Sequence, residues 1–396
     1  MPNIITPTLV VPEEKRIVLP SSIFNTEKQD YGSDRLLFGE KRGVFDTSNE
    51  SHPKIKALHQ QLKVQDWDEG ELDHTPCVIQ FKSCQESEYF SLTDTIAWQW
   101  ETDTSSANSI VPIMSNFVTN DRLMRAYTRV GMSEWLHAAA YSVIVRTGFE
   151  NPNAVREDIL QRQQAFARLE SIAEVFEEAR YIGAEYSNGH MKYCNEVYDA
   201  AIKFLVANYI MEAVQFVGSF AITFSFGKQG RFGTICDIVQ KIAQDEFLTH
   251  VPLGEYVLDW EFRTEAGIMA FTRLRTWMIE FLRTIIRREL AWNARQFSNG
   301  RELLGLTEDL LNRYIFYRAT LVAKFLRIPI DECYYQDKDP LPWMDDWLDL
   351  NKRQISAQEQ RGTNYYLGSF LRDVPRGQWL GFDFEAIKRE LSAAHG

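Results

Sequence analysis

The chain has 396 residues, of which 45% are hydrophobic and 25% charged, proportions typical of a globular protein with a sizeable core. Its formal net charge is -12 and its basic residues are dispersed among acidic ones, which argues against a nucleic-acid-binding surface. The five cysteines have spacings that suit neither a metal site nor a redox motif, as expected for free thiols in the reducing cytoplasm.

The first 60 residues are rich in Pro, Ser, Asn and Asp without a sustained period, which predicts an irregular N-terminal arm. They contain no apolar segment after a basic start, so no signal peptide is predicted. Farther on, apolar residues recur every three or four positions, the spacing of amphipathic helices. The predicted helical stretches are 86–101, 116–147, 153–182, 192–226, 234–260, 264–296 and 307–325. The sequence therefore predicts an all-α fold, with a helical bundle over 61–350 and a flexible tail over 351–396.

The apolar run 204–226 is the segment that comes nearest to a membrane span. It contains Asn208, Glu212 and Gln215, and polar groups are costly in a lipid bilayer. Because its apolar residues occupy several helix faces, the run is predicted to be a central, buried helix of the bundle, and no membrane partner is expected.

Two predicted helices each carry a glutamate and a histidine on one face. Glu134 and His137 are three residues apart, and Glu246 and His250 are four apart. The first pair lies among small and apolar residues, and Glu212 lies in an otherwise apolar helix. A buried charge needs a partner or a metal ion. Carboxylate and imidazole ligands together suit iron or manganese better than structural zinc.

Four helices that turn such ligands inward would form the dinuclear carboxylate site of a ferritin-like bundle. Asp103 would supply the remaining acid, although a helix-end or loop acid is an equally ordinary interpretation of that residue alone. The pair Asp245 and Glu246 also fits a solvated helix face. The predicted metal ligands are Asp103, Glu134, His137, Glu212, Glu246 and His250.

Over residues 67–366 the chain resembles the small, radical-generating subunit of class I ribonucleotide reductase. Asp103 precedes Glu134 by 31 residues and Glu212 precedes Glu246 by 34, the separations of that family's acidic ligands. Three further segments are similar to the family's sequences around its third acidic ligand, its Asp-Glu pair and its Pro-Trp-x-x-x-Trp-Leu motif. They are 212–220, 245–246 and 342–348.

The resemblance implies roles for individual residues. Tyr141 would be the radical tyrosine, four residues after His137 on the same helix face. Phe216, Phe220 and Ile242 occupy the positions of the apolar pocket around it.

The resemblance also implies a route for radical transfer. Trp67 matches the tryptophan of that route, and Asp245 matches the acid that links it to the first histidine. Tyr366 would relay the radical towards the large subunit, with the adjacent Tyr365 as an alternative.

The implied function is the reduction of ribonucleotides to deoxyribonucleotides for DNA replication, together with a catalytic large subunit. Two iron ions, or manganese or a mixed pair, would use dioxygen to generate the tyrosyl radical. The resemblance also implies a cytoplasmic homodimer. A ferritin-like dimetal monooxygenase or oxidase is the alternative enzyme, and a metal-storage ferritin is the alternative binding protein.

The sequence departs from the family pattern in two places. Thr249 occupies the position of the second histidine, and His250 follows it. A π-bulge between Glu246 and His250 would restore the geometry of Glu-x-x-His, and the alternative is a degenerate site with one imidazole lost. In addition, 385–394 is predicted to be a short helix where the family has an acidic and aromatic docking peptide.

Overall fold

The computed structural model describes residues 19–32, 35–49 and 51–350. Within these ranges the regular structure is helical, apart from two isolated β-bridges. The all-α prediction is therefore confirmed. The predicted tail, with Tyr365 and Tyr366, and the beginning of the predicted arm lie outside the described residues.

The described residues form thirteen α-helices, two π-turns and two short 3₁₀ turns at Ser298–Gly300 and Glu332–Tyr334. The α-helices are α1 (Pro53–Val64), α2 (Thr75–Ser83), α3 (Glu86–Phe117), α4 (Asp121–Gly148), α5 (Pro152–Ile159), α6 (Gln163–Ser187), α7 (Asn195–Ile210), α8 (Phe216–Gly227), α9 (Gly233–Asp245), α10 (Val251–Glu261), α11 (Glu265–Phe297), α12 (Glu308–Phe325) and α13 (Met344–Leu348). The first π-turn, Met211–Gln215, joins α7 to α8, and the second π-turn, Glu246–His250, joins α9 to α10.

α1 begins inside the segment predicted as an irregular arm. It starts with Pro53, which suits the first turn of a helix because that turn needs no internal N–H donor. Its buried residues Ile55, Leu58 and Leu62 follow the spacing of an amphipathic helix and pack towards α4.

α3 extends farther than predicted. The expected helix ended at residue 101 and the next one began at 116, whereas α3 continues to Phe117 and α4 begins at Asp121. The stretch 102–109 is rich in Ser and Thr, which have low helix propensity, but it belongs to α3, which packs against both α4 and α6. The break falls instead at Asn120, whose side chain caps α4 by accepting the N–H groups of Arg122 and Leu123. Asp103 therefore lies in the middle of a helix.

The segment Asn195–Gly227 forms the centre of the bundle. Among the described residues, it is the one helical run long and apolar enough to cross a membrane by length and composition. In its most apolar window 94% of the residues are buried inside the protein, as in the core helix of a globular domain. This burial matches the predicted central helix.

Two π-turns interrupt the helices that pass the centre of the bundle. In the first, the N–H of Phe216 donates to the carbonyl of Met211, five residues back. In the second, the N–H of Val251 donates to the carbonyl of Glu246. Each turn adds one residue to the helical repeat, which changes the direction of the side chains that follow. The two π-turns pack against each other.

Candidate metal centre

The six predicted ligands converge at the centre of the bundle. They come from α3, α4 and the two π-turns, and none of them is more than 4% exposed. Their ligand atoms form two overlapping groups, in each of which the atoms lie within 4.8 Å of one another. One group is Asp103, Glu134 and His137, and the other is Glu134, Glu212, Glu246 and His250. Glu134 belongs to both groups, so its side chain connects them.

Two glutamates lie between the two imidazoles. Nδ1 of His250 is 2.6 Å from Oε2 of Glu246 and 3.2 Å from Oε1 of Glu134. Nδ1 of His137 is 3.1 Å from the other oxygen of Glu246 and 4.0 Å from Oδ2 of Asp103. Both histidines thus point Nδ1 at carboxylate oxygens.

The second π-turn contains the bulge predicted between Glu246 and His250. With one extra residue in the turn, the fourth residue takes roughly the place that the third holds in an α-helix, so the imidazole of His250 faces Glu246. Thr249, at the position of the family's histidine, instead donates its hydroxyl to the carbonyl of Asp245 at 2.5 Å.

The residues of the centre fit a pair of metal ions. Both carboxylate oxygens of Asp103 and both of Glu212 are buried and accept no hydrogen bond from the described residues. Buried carboxylates without partners are costly, and divalent cations are the partners that this set of oxygen and imidazole donors suits.

Burial and mutual repulsion raise the pKa of two of the acids. Burial raises the pKa of Asp103 and of Glu212 well above their usual range, and the neighbouring carboxylates raise both further. Burial alone would lower the pKa of His250, but the charges of Glu246 and Glu134 outweigh it and raise that pKa to about 10. Metal ions would have to displace these protons, so metal binding is expected to be coupled to proton release.

Tyr141 lies beside this cluster in a fully buried position. Its hydroxyl has no hydrogen-bond partner among the described residues. Burial raises the pKa of the phenol well above its usual value, and the carboxylate of Asp103 raises it further. The predicted pocket residues Phe216, Phe220 and Ile242 are also fully buried, and the two phenylalanine rings stack with centroids 5.5 Å apart.

A hydrogen-bonded chain connects Trp67 to the first histidine. Nε1 of Trp67 donates to Oδ2 of Asp245 at 2.9 Å, and the same oxygen lies 3.2 Å from Nε2 of His137. The indole and the imidazole are nearly parallel, at an interplanar angle of 13° with centroids 6.0 Å apart. Trp67 is 7% exposed, so the chain leads from near the surface to the cluster.

Comparison with known proteins places this arrangement in a family. The family model "Ribonucleotide reductase, small chain" matches residues 44–337, well over half of the chain. The chain belongs to the ribonucleotide reductase small-chain family. This finding confirms the resemblance inferred from the sequence.

Relatives of the small-chain family match over most of their length. The beta subunit of ribonucleoside-diphosphate reductase from Buchnera aphidicola subsp. Acyrthosiphon pisum is 21% identical over 376 residues, covering 91% of this chain and 99% of the relative. The beta subunit of ribonucleoside-diphosphate reductase 1 from Escherichia coli O157:H7 is 21% identical over 366 residues, covering 89% of this chain and 96% of the relative.

Solved structures of the small-chain family share the fold. The R2 subunit from Clostridium botulinum superposes with a TM-score of 0.71 at 19% identity, covering 85% of this chain and 100% of that one. The dimanganese(II)-NrdF from Streptococcus sanguinis gives a TM-score of 0.60 at 14% identity, covering 77% of this chain and 99% of that one. These likenesses confirm the ferritin-like helical fold.

The structure adds small-chain residues that the sequence did not indicate. Lys241 pairs with Glu71, and its Nζ lies 5.8 Å from the centre of the Trp67 ring. This ion pair fastens the segment after Trp67 to α9. The first π-turn, which carries Glu212, was also not predicted. Glu212 is the only predicted ligand in its helix, so no sequence separation between two ligands could reveal an inserted residue.

We expect the substitution Glu212→Ala to remove at least one metal ion from the loaded protein. The metal-free protein should lose little unfolding free energy, because a buried acid without a hydrogen-bond partner disappears with the substitution. Elemental analysis and thermal unfolding measure the two effects. Glu255→Ala serves as the control, since Glu255 binds the hydroxyl of Tyr209 outside both ligand groups. Full occupancy by two metals in Glu212→Ala would contradict the assignment.

Proposed function

We propose that this chain is the radical-generating subunit of a class I ribonucleoside-diphosphate reductase. The observation that supports the proposal best is the unbroken chain Trp67–Asp245–His137, which links the edge of the protein to the ligand cluster beside a buried tyrosine. A dimetal monooxygenase or oxidase would need a substrate channel and no such relay.

Six residues would hold the metal ions: Asp103, Glu134, His137, Glu212, Glu246 and His250. Two iron ions, or manganese or a mixed pair, would together with dioxygen supply the one-electron oxidising power of the site. The protein keeps water away from this chemistry, because all six side chains are at most 4% exposed.

Tyr141 would carry the radical. Its raised pKa keeps the phenol protonated, so that oxidation removes an electron together with the hydroxyl proton. Among the neighbouring carboxylates, Asp103 acts most strongly on the pKa of the phenol, so we propose that Asp103 receives that proton. Burial in an apolar surround then protects the radical from water and from reductants.

Asp245 would join the indole of Trp67 and the imidazole of His137 in one hydrogen-bonded relay. Its Oδ2 accepts the indole N–H of Trp67 and lies within hydrogen-bonding distance of Nε2 of His137. This bond directs the Nε2 proton of His137 towards Asp245 and leaves Nδ1 free to bind a metal. An electron can then pass between Trp67 and the cluster while the proton stays in a fixed hydrogen bond.

The partners of the chain follow from the same proposal. The large subunit would bind the ribonucleotide and receive the radical through Tyr366 or Tyr365 in the tail 351–396. A second copy of the chain would complete a cytoplasmic homodimer. In support, α4 exposes the apolar side chains of Met132 and Trp135 on one face of the described bundle. No nucleic-acid or membrane partner is proposed.

We expect Trp67→Phe to separate radical formation from nucleotide reduction. Phenylalanine keeps an aromatic ring but has no N–H to donate to Asp245, so the relay is broken while the ligand cluster is untouched. The tyrosyl electron-spin signal should form as in the wild type, and reduction of cytidine diphosphate with the large subunit should fall to background. Normal turnover in Trp67→Phe would contradict the relay, and substrate oxidation without a large subunit would favour the oxidase alternative.

A further inference from the structure

A second buried charge cluster lies beside the first π-turn. Arg168 of α6 and Glu289 of α11 are both at most 1% exposed and form a two-pronged ion pair, with Nε–Oε1 at 2.6 Å and Nη2–Oε2 at 2.5 Å. The guanidinium lies between two indoles, 3.6 Å from the ring centre of Trp98 and 4.1 Å from that of Trp292. Such a planar, stacked and bidentate site suits arginine and does not suit lysine.

The same guanidinium is bonded to the end of the first π-turn. Nη2 of Arg168 donates to the carbonyl oxygen of Gln215 at 2.5 Å. In return, Nε2 of Gln215 donates to the carbonyl oxygen of Arg168 at 3.0 Å and lies 3.4 Å from Oε1 of Glu289. Gln215 is the last residue of this turn, and Glu212 is its second. The turn is thus fixed to α6 and α11 by both the main chain and the side chain of one residue.

A gain in folding stability does not by itself explain the buried Arg168–Glu289 ion pair. A buried ion pair can often be replaced by apolar side chains of similar volume at no cost in folding free energy. A π-turn, by contrast, competes with the ordinary α-helical register of the same residues. A change of register would rotate Glu212 away from Glu134 and Glu246, so a fixed contact at the end of the turn has a consequence at the cluster.

We infer that Arg168 is a positioning residue for Glu212. It acts through Gln215 and holds the first π-turn in the register that points the carboxylate of Glu212 at the other ligands. Trp98 joins the same unit to α3, because its ring packs against Phe216 at 4.8 Å and it precedes Asp103 on that helix. The inference rests on the proposed function only in taking Glu212 as a metal ligand.

The test is titration of the full-length, metal-free protein with Mn²⁺, with free Mn²⁺ followed by electron-spin resonance. Arg168→Lys keeps the charge but lacks the planar guanidinium fork, so it cannot reproduce the two-pronged pair with Glu289 and the stacking between the indoles. We expect it to weaken the binding of one of the two Mn²⁺ ions between roughly tenfold and a hundredfold, the usual effect of losing a group that orients a ligand. The other ion should bind as in the wild type.

Arg283→Lys is the matched control. Arg283 forms a similar two-pronged pair with Asp331, at 2.7 and 2.6 Å, and starts from α11 as Glu289 does, but it has no bond to either π-turn. This variant should bind both Mn²⁺ ions normally. If Arg168→Lys does not fold, the paired variant Arg168→Met with Glu289→Leu removes both charges together and should show the same loss of one ion.

A double-mutant cycle separates positioning from general stability. In a Glu212→Gln background, Arg168→Lys should cause no further loss of Mn²⁺ affinity, because the ligand it positions is already gone. Equal losses in both backgrounds, or normal binding of both ions by Arg168→Lys, would overturn the inference. A wild-type protein that fails to bind two Mn²⁺ ions would instead refute the ligand set of the proposed function.

Discussion

Replacing Tyr141 with phenylalanine is expected to abolish the tyrosyl electron-spin signal of the iron-loaded, air-exposed protein. The substitution removes only the hydroxyl, which is buried and has no hydrogen-bond partner among the described residues. The packing of the ring and the six predicted ligands are unchanged, so the metal content should remain that of the wild type. Nucleotide reduction with the large subunit should disappear together with the signal.

Tyr127→Phe is the control for this prediction. Tyr127 lies on the same helix, α4, and is likewise buried, and burial alone raises the pKa of its hydroxyl without a contribution from the ligand carboxylates. Its substitution should leave the signal intact. A signal that survives Tyr141→Phe would show that another tyrosine carries the radical, or that the protein operates without one.

The sequence predicted the ligand cluster because buried charge is rare and its spacing is informative. Glu134 and Glu212 stood out as acids in apolar helices, where a buried carboxylate is unfavourable unless it has a charged partner or a metal ion. Glu246 and His250 stood out because they share a helix face. Asp103 gave no local signal, and only the family's spacing indicated it. The structure brings it next to Glu134 and His137.

Long-range contacts account for most of what the sequence could not reveal. Arg168 and Glu289 are 121 residues apart, and Lys241 and Glu71 are 170 apart, so no local pattern joins them. The end of α3 was misplaced for a related reason. Its Ser- and Thr-rich second half has low helix propensity but belongs to a helix that packs against two others.

The two π-turns show the limit of local spacing most clearly. In the second, the glutamate and the histidine lie on one turn, so their separation of four instead of three predicted an inserted residue. In the first, Glu212 is the only predicted ligand on the turn. No spacing between two ligands exists there that could reveal an inserted residue. A π-turn was therefore predictable only where two ligands share it.

Replacing His250 with alanine is expected to leave the protein with fewer than two metal ions. The second π-turn brings Nδ1 of His250 to 2.6 Å from Glu246 and 3.2 Å from Glu134, inside the group that also contains Glu212. Alanine offers no ligand atom, and the hydroxyl of the neighbouring Thr249 is directed at the carbonyl of Asp245 and belongs to neither ligand group. Elemental analysis and Mn²⁺ titration both measure the loss, which should affect one ion and spare the other.

Thr249→Val, at the neighbouring residue, is the control for His250→Ala. Valine keeps the shape of threonine and loses only the hydroxyl bond to Asp245, so both metals should bind and the tyrosyl signal should form. If threonine at this position marks a degenerate site, the outcome is different: His250→Ala would then bind as many metal ions as the wild type. Because both residues are buried in the same π-turn, a general loosening of the turn would affect the two variants alike, whereas ligation by His250 affects only one.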